Sequence, residues 1–193
     1  LKQIRVTKME IALDRTYRAY RWLLDNIIGH GAAIIMLGSV LLAIFEIIRR
    51  YIFGVVYDWG QDAVTYFTVG SIFLYFAVTQ ARRSHLAVSA LMDHLKGRGY
   101  LQLVLVVRLL ITAGSLAMYS AIVYFGWSTI IRAQLLERTT QSMVLLIWPF
   151  QLILLIGFIL MAVTCLFQLY QDFQAVRGKK VFTWAPAEEG LEI

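Results

Sequence analysis

Four long apolar runs constrain this chain more than any other feature of its sequence. A helix needs about 20 mostly apolar residues to cross roughly 30 Å of hydrocarbon. Runs of that length without Asp, Glu, Lys or Arg occupy residues 27–45, 63–81 and 109–131, and a fourth lies inside the uncharged stretch 139–171. These runs predict an all-α integral membrane protein with four transmembrane helices and additional amphipathic helices.

The composition indicates that lipid rather than water is the main solvent. Hydrophobic residues make up 60% of the chain and charged residues 16%, whereas a soluble domain carries about 25% charged residues. The basic residues lie between the apolar runs and form no single patch, so no nucleic-acid partner is predicted. The single cysteine, Cys165, excludes an intrachain disulfide and a multi-cysteine metal site.

The predicted boundaries divide the chain into an arm, a membrane domain and a tail. These parts are the cytoplasmic amphipathic arm 1–26, the four-helix membrane domain 27–171 and the cytoplasmic tail 172–193. The spans are predicted at about 27–48, 62–82, 106–131 and 143–170, and an interfacial helix at about 84–97. The third run is long enough to protrude, so Arg108 is expected near the interface with its charge extended to water.

The basic residues and the tryptophans predict which face of the membrane each loop occupies. The arm, the segment between the second and third spans, and the tail contain 6, 5 and 3 lysines plus arginines, against 2 in each remaining loop. Because basic residues favour the cytoplasmic side, both termini are predicted to be cytoplasmic. Trp59, Trp127 and Trp148 then fall at outer ends of spans and Trp22 at an inner end, as interfacial tryptophans do.

Two segments on the predicted cytoplasmic side have an apolar stripe on an otherwise polar helix. The stripes are Met9, Leu13, Tyr20, Leu24 and Ile27 in the arm, and Val88, Leu91, Met92 and Leu95 in the interfacial helix. Helices of this kind lie in the headgroup region. The pattern leaves two interpretations open: anchoring to anionic lipid, or bracing of a partner subunit against the membrane.

The spans carry no pattern that indicates catalysis, a cofactor or an ion pathway. Charged residues deep in a span are the usual markers of ion pathways, and the centres of all four spans lack them. Glu46 comes closest, but Arg49 and Arg50 follow three and four residues later and predict a local ion pair. His30 is the one histidine inside a span, whereas a haem held between helices would need two. We therefore predict a non-enzymatic chain with no catalytic, substrate-binding or metal site and no cofactor.

The sequence around the second predicted span carries a more specific pattern. It reads Arg50-Tyr51-Ile52-Phe53-Gly54, then Trp59 before the span, then Arg82-Arg83-Ser84-His85-Leu86-Ala87-Val88 after it. In order and spacing this pattern resembles the small membrane subunit, of DctQ type, of tripartite ATP-independent periplasmic (TRAP) transporters. The resemblance covers roughly residues 24–172. It departs from the family after the tryptophan, where Gln61-Asp62 stands in place of two acids.

The resemblance implies a function and a set of partners. In such transporters of the bacterial inner membrane, a periplasmic binding protein delivers an organic acid to a pair of membrane subunits. The large multi-span subunit carries the substrate and sodium sites, so sodium coupling is expected there and not in this chain. The small subunit packs against the static part of the large one. The expected partners are therefore the large subunit, the periplasmic binding protein and membrane lipids.

The resemblance and the topology together identify eight candidate residues for an interface with a partner or with lipid. They are Glu46, Arg50, Tyr57, Trp59 and Asp62 on the outer side, and Arg82, Arg83 and His85 on the inner side. The loop residues are expected to shape a surface for the periplasmic protein, and the first two to fix the end of the first span. The inner group is expected to pin the second span to headgroups or to the large subunit.

Other classes of protein are also compatible with four apolar runs. A non-catalytic adaptor or anchor subunit of another inner-membrane complex would have the same topology. A membrane enzyme or redox subunit would add a cofactor such as haem, and a self-associating channel would conduct ions as a homo-oligomer. The identity of the partners, an absorbance band and a conductance would distinguish these alternatives.

Overall fold

The computed structural model describes residues 8–82 and 101–176, which are almost entirely helical. The predicted interfacial helix 84–97 lies outside the described residues, and so do the candidate residues Arg83 and His85. The part of the predicted tail beyond residue 176 is also outside them. The fold is therefore that of the arm and the four spans.

A nearly continuous helix runs from the arm through the first span. It consists of α1 (Lys8–Trp22), a π-helical turn (Leu23–Ile28), α2 (Gly29–Ile48) and a second π-helical turn (Arg49–Phe53). The predicted boundary after residue 26 thus falls inside a wider turn of one helix, because no proline or glycine breaks the chain there. The helix ends before Gly54, whose φ of 66° is left-handed and favours glycine.

Three further helices complete the four spans. They are α3 (Gly60–Ala81), α4 (Leu101–Leu135) and α5 (Trp148–Val176). Together with the first helix they are long and apolar enough to cross a membrane, which confirms the predicted all-α fold with four transmembrane helices. The fourth helix begins later than the predicted residue 143. It places Pro149 in its first turn, where the missing N–H costs no hydrogen bond.

The spans pack side by side in the order α2, α3, α5, α4, so the third and fourth spans exchange places relative to the chain. The helices at the two edges, α2 and α4, expose large apolar side chains. Examples are Ile34, which is 69% exposed, and Leu110, which is 66% exposed. Apolar surface of this extent indicates contact with lipid or with another membrane protein.

The arm packs across the layer of spans. The rings of Tyr17 and Tyr20 lie 5.4 and 5.7 Å from the ring of Phe167 in α5. The Tyr20 hydroxyl also donates a hydrogen bond of 2.6 Å to the carbonyl of Leu160. Leu24 is fully buried in an apolar cluster whose other members are Ala77, Val78, Ala81 and Met161. Part of the apolar stripe predicted for the arm is therefore an internal packing surface.

Two glycines allow α3 and α5 to approach closely. A Cβ added at Gly157 would lie 3.0 Å from the carbonyl oxygen of Phe73, and one added at Gly70 would lie 3.2 Å from a methyl carbon of Ile153. Small residues at helix crossings are the usual means of close packing in membranes, where lipid removes most of the hydrophobic driving force. The centre of the layer is thus held by backbone proximity.

Two buried polar contacts link the spans near the arm. The amide of Gln168 donates a hydrogen bond of 2.7 Å to the carbonyl of Gln80. Asp172, which is 2% exposed, forms an ion pair of 2.9 Å with Arg108 and accepts a hydrogen bond of 2.8 Å from Thr112. The prediction that Arg108 extends its charge to water is therefore wrong. The helix continues past the predicted tail boundary and places a carboxylate directly beside it.

Candidate functional site

The layer has two polar ends. We call the end formed by residues 49–62 and 136–148 the hairpin end. The opposite end, formed by α1, Arg82 and Asp172, is the arm end. Six of the eight candidate residues are among the described residues: five lie at or next to the hairpin end, and Arg82 lies at the arm end.

At the hairpin end, the connection between α4 and α5 folds back on itself. Thr139 and Leu146 form an isolated antiparallel bridge. Glu137 and Met143 adopt left-handed backbone conformations, with φ of 47° and 59°. These two positions let the chain reverse within a few residues. The connection is therefore an ordered turn structure, on which a surface can be built.

Asp62 joins this connection to the other loop of the hairpin end. It lies in the first turn of α3 and accepts two hydrogen bonds from Ser142, 2.9 Å from the backbone N–H and 2.6 Å from the hydroxyl. Bonds to an ionised acceptor are the stronger class of hydrogen bond. Asp62 thus ties residues 136–147 to the start of the second span.

A polar cavity of about 340 Å³ opens beside this contact. Its lining is Asp58, Gln61, Asp62, Thr65, Tyr66, Gln141 and Ser142. The lining draws on both loops of the hairpin end and contains two carboxylates and no basic residue. The cavity is open to the surface, so it offers hydrogen-bonding groups to a molecule or a side chain that approaches this end.

An aromatic and cationic stack stands next to the cavity. The ring of Tyr57 lies 5.4 Å from the ring of Trp59, and the guanidinium carbon of Arg49 lies 3.5 Å from the centre of the Tyr57 ring. A guanidinium over an aromatic face is attracted by the negative face of the ring. The predicted loop residues Tyr57 and Trp59 thus form one stack with Arg49, which the sequence had predicted to pair with Glu46.

The predicted ion pair at the end of the first span is wrong. Among the described residues no ion pair links Glu46 to Arg49 or Arg50, and Oε1 of Glu46 is buried without a hydrogen-bond partner. The carboxyl group faces the start of α3 instead: a Cβ added at Gly60 would lie 2.5 Å from its carbon. The positive end of a helix dipole offers a carboxylate a favourable place, and Arg49 is occupied by Tyr57. Arg50 is exposed.

The arm end carries a second charged cluster. Arg82, at the end of α3, forms an ion pair of 3.1 Å with Asp25 in the first π-helical turn. Arg21, one helical turn earlier, reaches the other oxygen of the same carboxylate at 3.6 Å. Asp25 therefore lies between two arginines from different helices. The predicted role of Arg82 in pinning the second span to a partner or to headgroups stays a prediction.

The candidate set chosen from the sequence omitted residues that take part in these contacts, among them Arg21, Asp25, Arg49 and Ser142. The spacing of Arg21 and Asp25, four residues apart on a helix, was a readable signal for an ion pair. Ser142 has no such signal, because only the fold of the distant turn brings it to Asp62. Within residues 8–82 and 101–176, no group of three or more His, Cys, Asp or Glu side chains is placed to hold a metal ion.

These observations define a class of protein. Four apolar helices, a layer with close backbone contacts, and charged clusters at its two ends describe a multi-pass α-helical membrane protein. Such an arrangement is suited to packing and docking rather than to chemistry within the membrane.

Comparison with known families gives the particular family. The model of the family described as tripartite ATP-independent periplasmic transporters, DctQ component, matches residues 39–175, more than half of the chain. The chain belongs to this family: it is a small membrane subunit of a TRAP transporter, a non-catalytic component and a multi-pass protein of the inner membrane. The family that the sequence motifs indicated is confirmed. No curated protein and no solved structure matches the chain.

Proposed function

We propose that this chain is the accessory scaffold subunit of a sodium-driven TRAP transporter that imports an organic acid delivered by a periplasmic binding protein. The family match over residues 39–175 carries this proposal, because it spans the second to fourth helices, the last part of the first and the whole hairpin end. The chain contributes no substrate or sodium site of its own. Those sites belong to the large multi-span subunit with which it assembles.

The proposed mechanical role follows from the layer. A small subunit that stabilises a moving partner needs a stiff body and broad apolar flanks. The close contact between Gly157 and Phe73 and the buried pair of Arg108 with Asp172 supply stiffness. The exposed flanks of α2 and α4 supply the apolar surface, one part for lipid and another for the static part of the large subunit.

The proposed orientation places the hairpin end in the periplasm and both termini in the cytoplasm. The excess of basic residues in the arm, the second connection and the tail supports it. In this orientation the cavity beside Asp62 and the stack of Tyr57 and Trp59 face the periplasmic binding protein. The exposed tip of the ordered turn, with Met143 82% exposed, lies on the same side.

Purification of the complex tests the proposal directly. The chain, tagged and expressed from its own operon, is extracted in mild detergent and its partners are identified by mass spectrometry. A much larger multi-span protein in equal amount is the expected result. Recovery of the chain alone, or with soluble cytoplasmic proteins only, would contradict the assembly.

Uptake by cells that carry single substitutions tests the roles of the hairpin end. Trp59→Ala and Arg50→Ala are expected to reduce growth on the imported organic acid, identified with a panel of acids as sole carbon source. Trp127→Ala is the control, since Trp127 is a tryptophan that lies on α4, outside both loops of the hairpin end. Unchanged uptake and assembly in both test variants would remove the partner roles assigned to these residues.

A further inference from the structure

The cavity at the hairpin end is negatively charged and open to an approaching molecule. Asp58, from the loop before α3, and Asp62, from the first turn of α3, both line it, and no lysine or arginine does. Asp62 already accepts two hydrogen bonds from Ser142. Asp58 is exposed and forms no ion pair within residues 8–82 and 101–176. The cavity therefore presents one carboxylate that can pair with a positive charge from outside.

The remaining lining groups suit a long basic side chain better than a bare ion. The ring of Tyr66 is fixed by stacking on the ring of Phe150 at 4.9 Å and gives the cavity an aromatic wall. Lysine and arginine lay their apolar stems along such surfaces while the charged head reaches polar groups. In the described part of the chain, no three His, Cys, Asp or Glu side chains are placed to hold a metal ion. The cavity thus has the charge and the wall that a basic side chain needs.

Exposed apolar side chains stand beside the cavity on both loops of the hairpin end. Val56 and Tyr57 directly precede Asp58, Met143 directly follows Ser142, and all three apolar residues are exposed. Exposed apolar groups grouped in this way mark contact with a protein or with a membrane. Two carboxylates at the same place disfavour the anionic headgroups of a membrane surface. Apolar contacts around a polar group are, by contrast, the usual composition of a protein interface.

We propose that the cavity receives one lysine or arginine side chain of the periplasmic binding protein, and that this side chain pairs with Asp58. The apolar residues beside the cavity contact the surface around it. Complementary charges at an interface steer the encounter and fix the orientation of the partners, so the small subunit orients the binding protein on the membrane pair. This inference rests on the proposed function, because it needs the hairpin end in the periplasm and the binding protein as a partner.

The affinity between the purified complex and the purified binding protein tests this inference. The small and large subunits are placed together in nanodiscs of neutral lipid, and the Kd of the binding protein from the same operon is measured at low and at high salt. Asp58→Asn is expected to weaken binding by up to about fivefold, the range of an exposed charge pair. Asp58→Lys brings like charges together and is expected to weaken it by about tenfold or more. Salt should weaken binding less in Asp58→Asn than in the unchanged complex.

A control variant and a charge exchange make the test specific. Glu137→Gln is the matched control, since Glu137 is an exposed carboxylate of the same end that does not line the cavity; it is expected to bind as the unchanged complex does. Each exposed lysine and arginine of the binding protein is then changed to glutamate. One of these changes is expected to weaken binding to the unchanged complex and to restore binding to Asp58→Lys. Recovery of the large subunit in equal amount with each variant checks that the small subunit folds.

The outcomes separate this inference from the function on which it rests. If the binding protein binds Asp58→Lys as well as the unchanged complex, or if no basic residue restores binding, the inference is overturned and the proposed function stands. A loss of the same size in Glu137→Gln would also overturn it, since the effect would then belong to the net charge of this end. If the binding protein does not bind the unchanged complex at all, the proposed function fails and the inference fails with it.

Discussion

At the hairpin end, a single carboxylate holds two loops together. Asp62 is the acceptor for both the backbone and the side chain of Ser142. Sequence indicated that Asp62 matters, but only the fold shows what it touches. The residue fixes the shape of the surface that we propose to face the periplasmic protein.

Removal of this carboxylate should loosen the turn at 136–147 without unfolding the spans. In Asp62→Ala the two bonds from Ser142 are lost, so amide hydrogen exchange in this turn is expected to rise several-fold while exchange in α3 stays slow. Ser142→Ala removes one of the two bonds and should give an intermediate change. Asp58→Ala, in the same cavity, is the control. If amide hydrogen exchange in the turn is the same in Asp62→Ala and in the unchanged protein, the hydrogen bonds between Asp62 and Ser142 do not order the turn.

A second prediction at this scale concerns the buried pair at the arm end. Asp172→Ala removes the buried carboxylate that pairs with Arg108, a change that typically costs about 3–5 kcal/mol. The melting temperature of the detergent-solubilised chain should fall clearly. Asp14→Ala breaks a pair with Arg18, whose side chain is 51% exposed, and should cost no more than about 1 kcal/mol. Equal losses of stability in the two variants would mean that the buried ion pair stabilises the fold no more than the exposed one does.

Among the helices, α3 and α5 approach each other closely at Gly157. Gly157→Ala puts a methyl group 3.0 Å from the backbone of Phe73, so the two helices must separate. We expect a loss of about 1–3 kcal/mol, the usual cost of overpacking, measured by thermal unfolding in detergent. Gly114→Ala is the control, because a Cβ there meets nothing within 4 Å. A stability loss of the same size in Gly114→Ala would indicate a general effect of losing glycine from a span.

The first helix also shows how an amphipathic stripe can mislead. The stripe in the arm predicts a headgroup-lying helix, and Tyr20 and Leu24 of that stripe instead pack against α3 and α5. Tyr17, which the stripe omitted, is 3% exposed. Apolar periodicity identifies a buried face but cannot tell lipid from another helix, since both are apolar solvents for a side chain.

For the molecule as a whole, the orientation in the membrane is the property to measure first. In a Cys165→Ala background, Met143→Cys places a thiol at the exposed tip of the hairpin end and Arg18→Cys places one on the arm. In cells whose outer membrane has been permeabilised and whose inner membrane is intact, a membrane-impermeant maleimide should label the thiol at position 143. The thiol at position 18 should be labelled only after the inner membrane is permeabilised as well. The reverse pattern would place the hairpin end in the cytoplasm and end its proposed role with the periplasmic protein.

The sequence by itself determined the number of spans, the helical class and the family. Burial in lipid needs only length and apolar composition, and both are local sums along the chain. The motif that indicates the family is also local, because it lies within a short stretch around the second span. The start of the fourth span was predicted at about residue 143, and in the structure this helix begins at Trp148.

The tertiary structure alone decided the packing order of the spans, the docking of the arm and the composition of both polar clusters. Asp62 and Ser142 are 80 residues apart, and Tyr20 and Leu160 are 140 apart. The ion pair expected at Glu46 failed for the same reason, since its carboxyl group faces the start of another helix. Such contacts depend on which helix faces which, and helix crossings are set by small residues and shape over the whole layer, which no local pattern records.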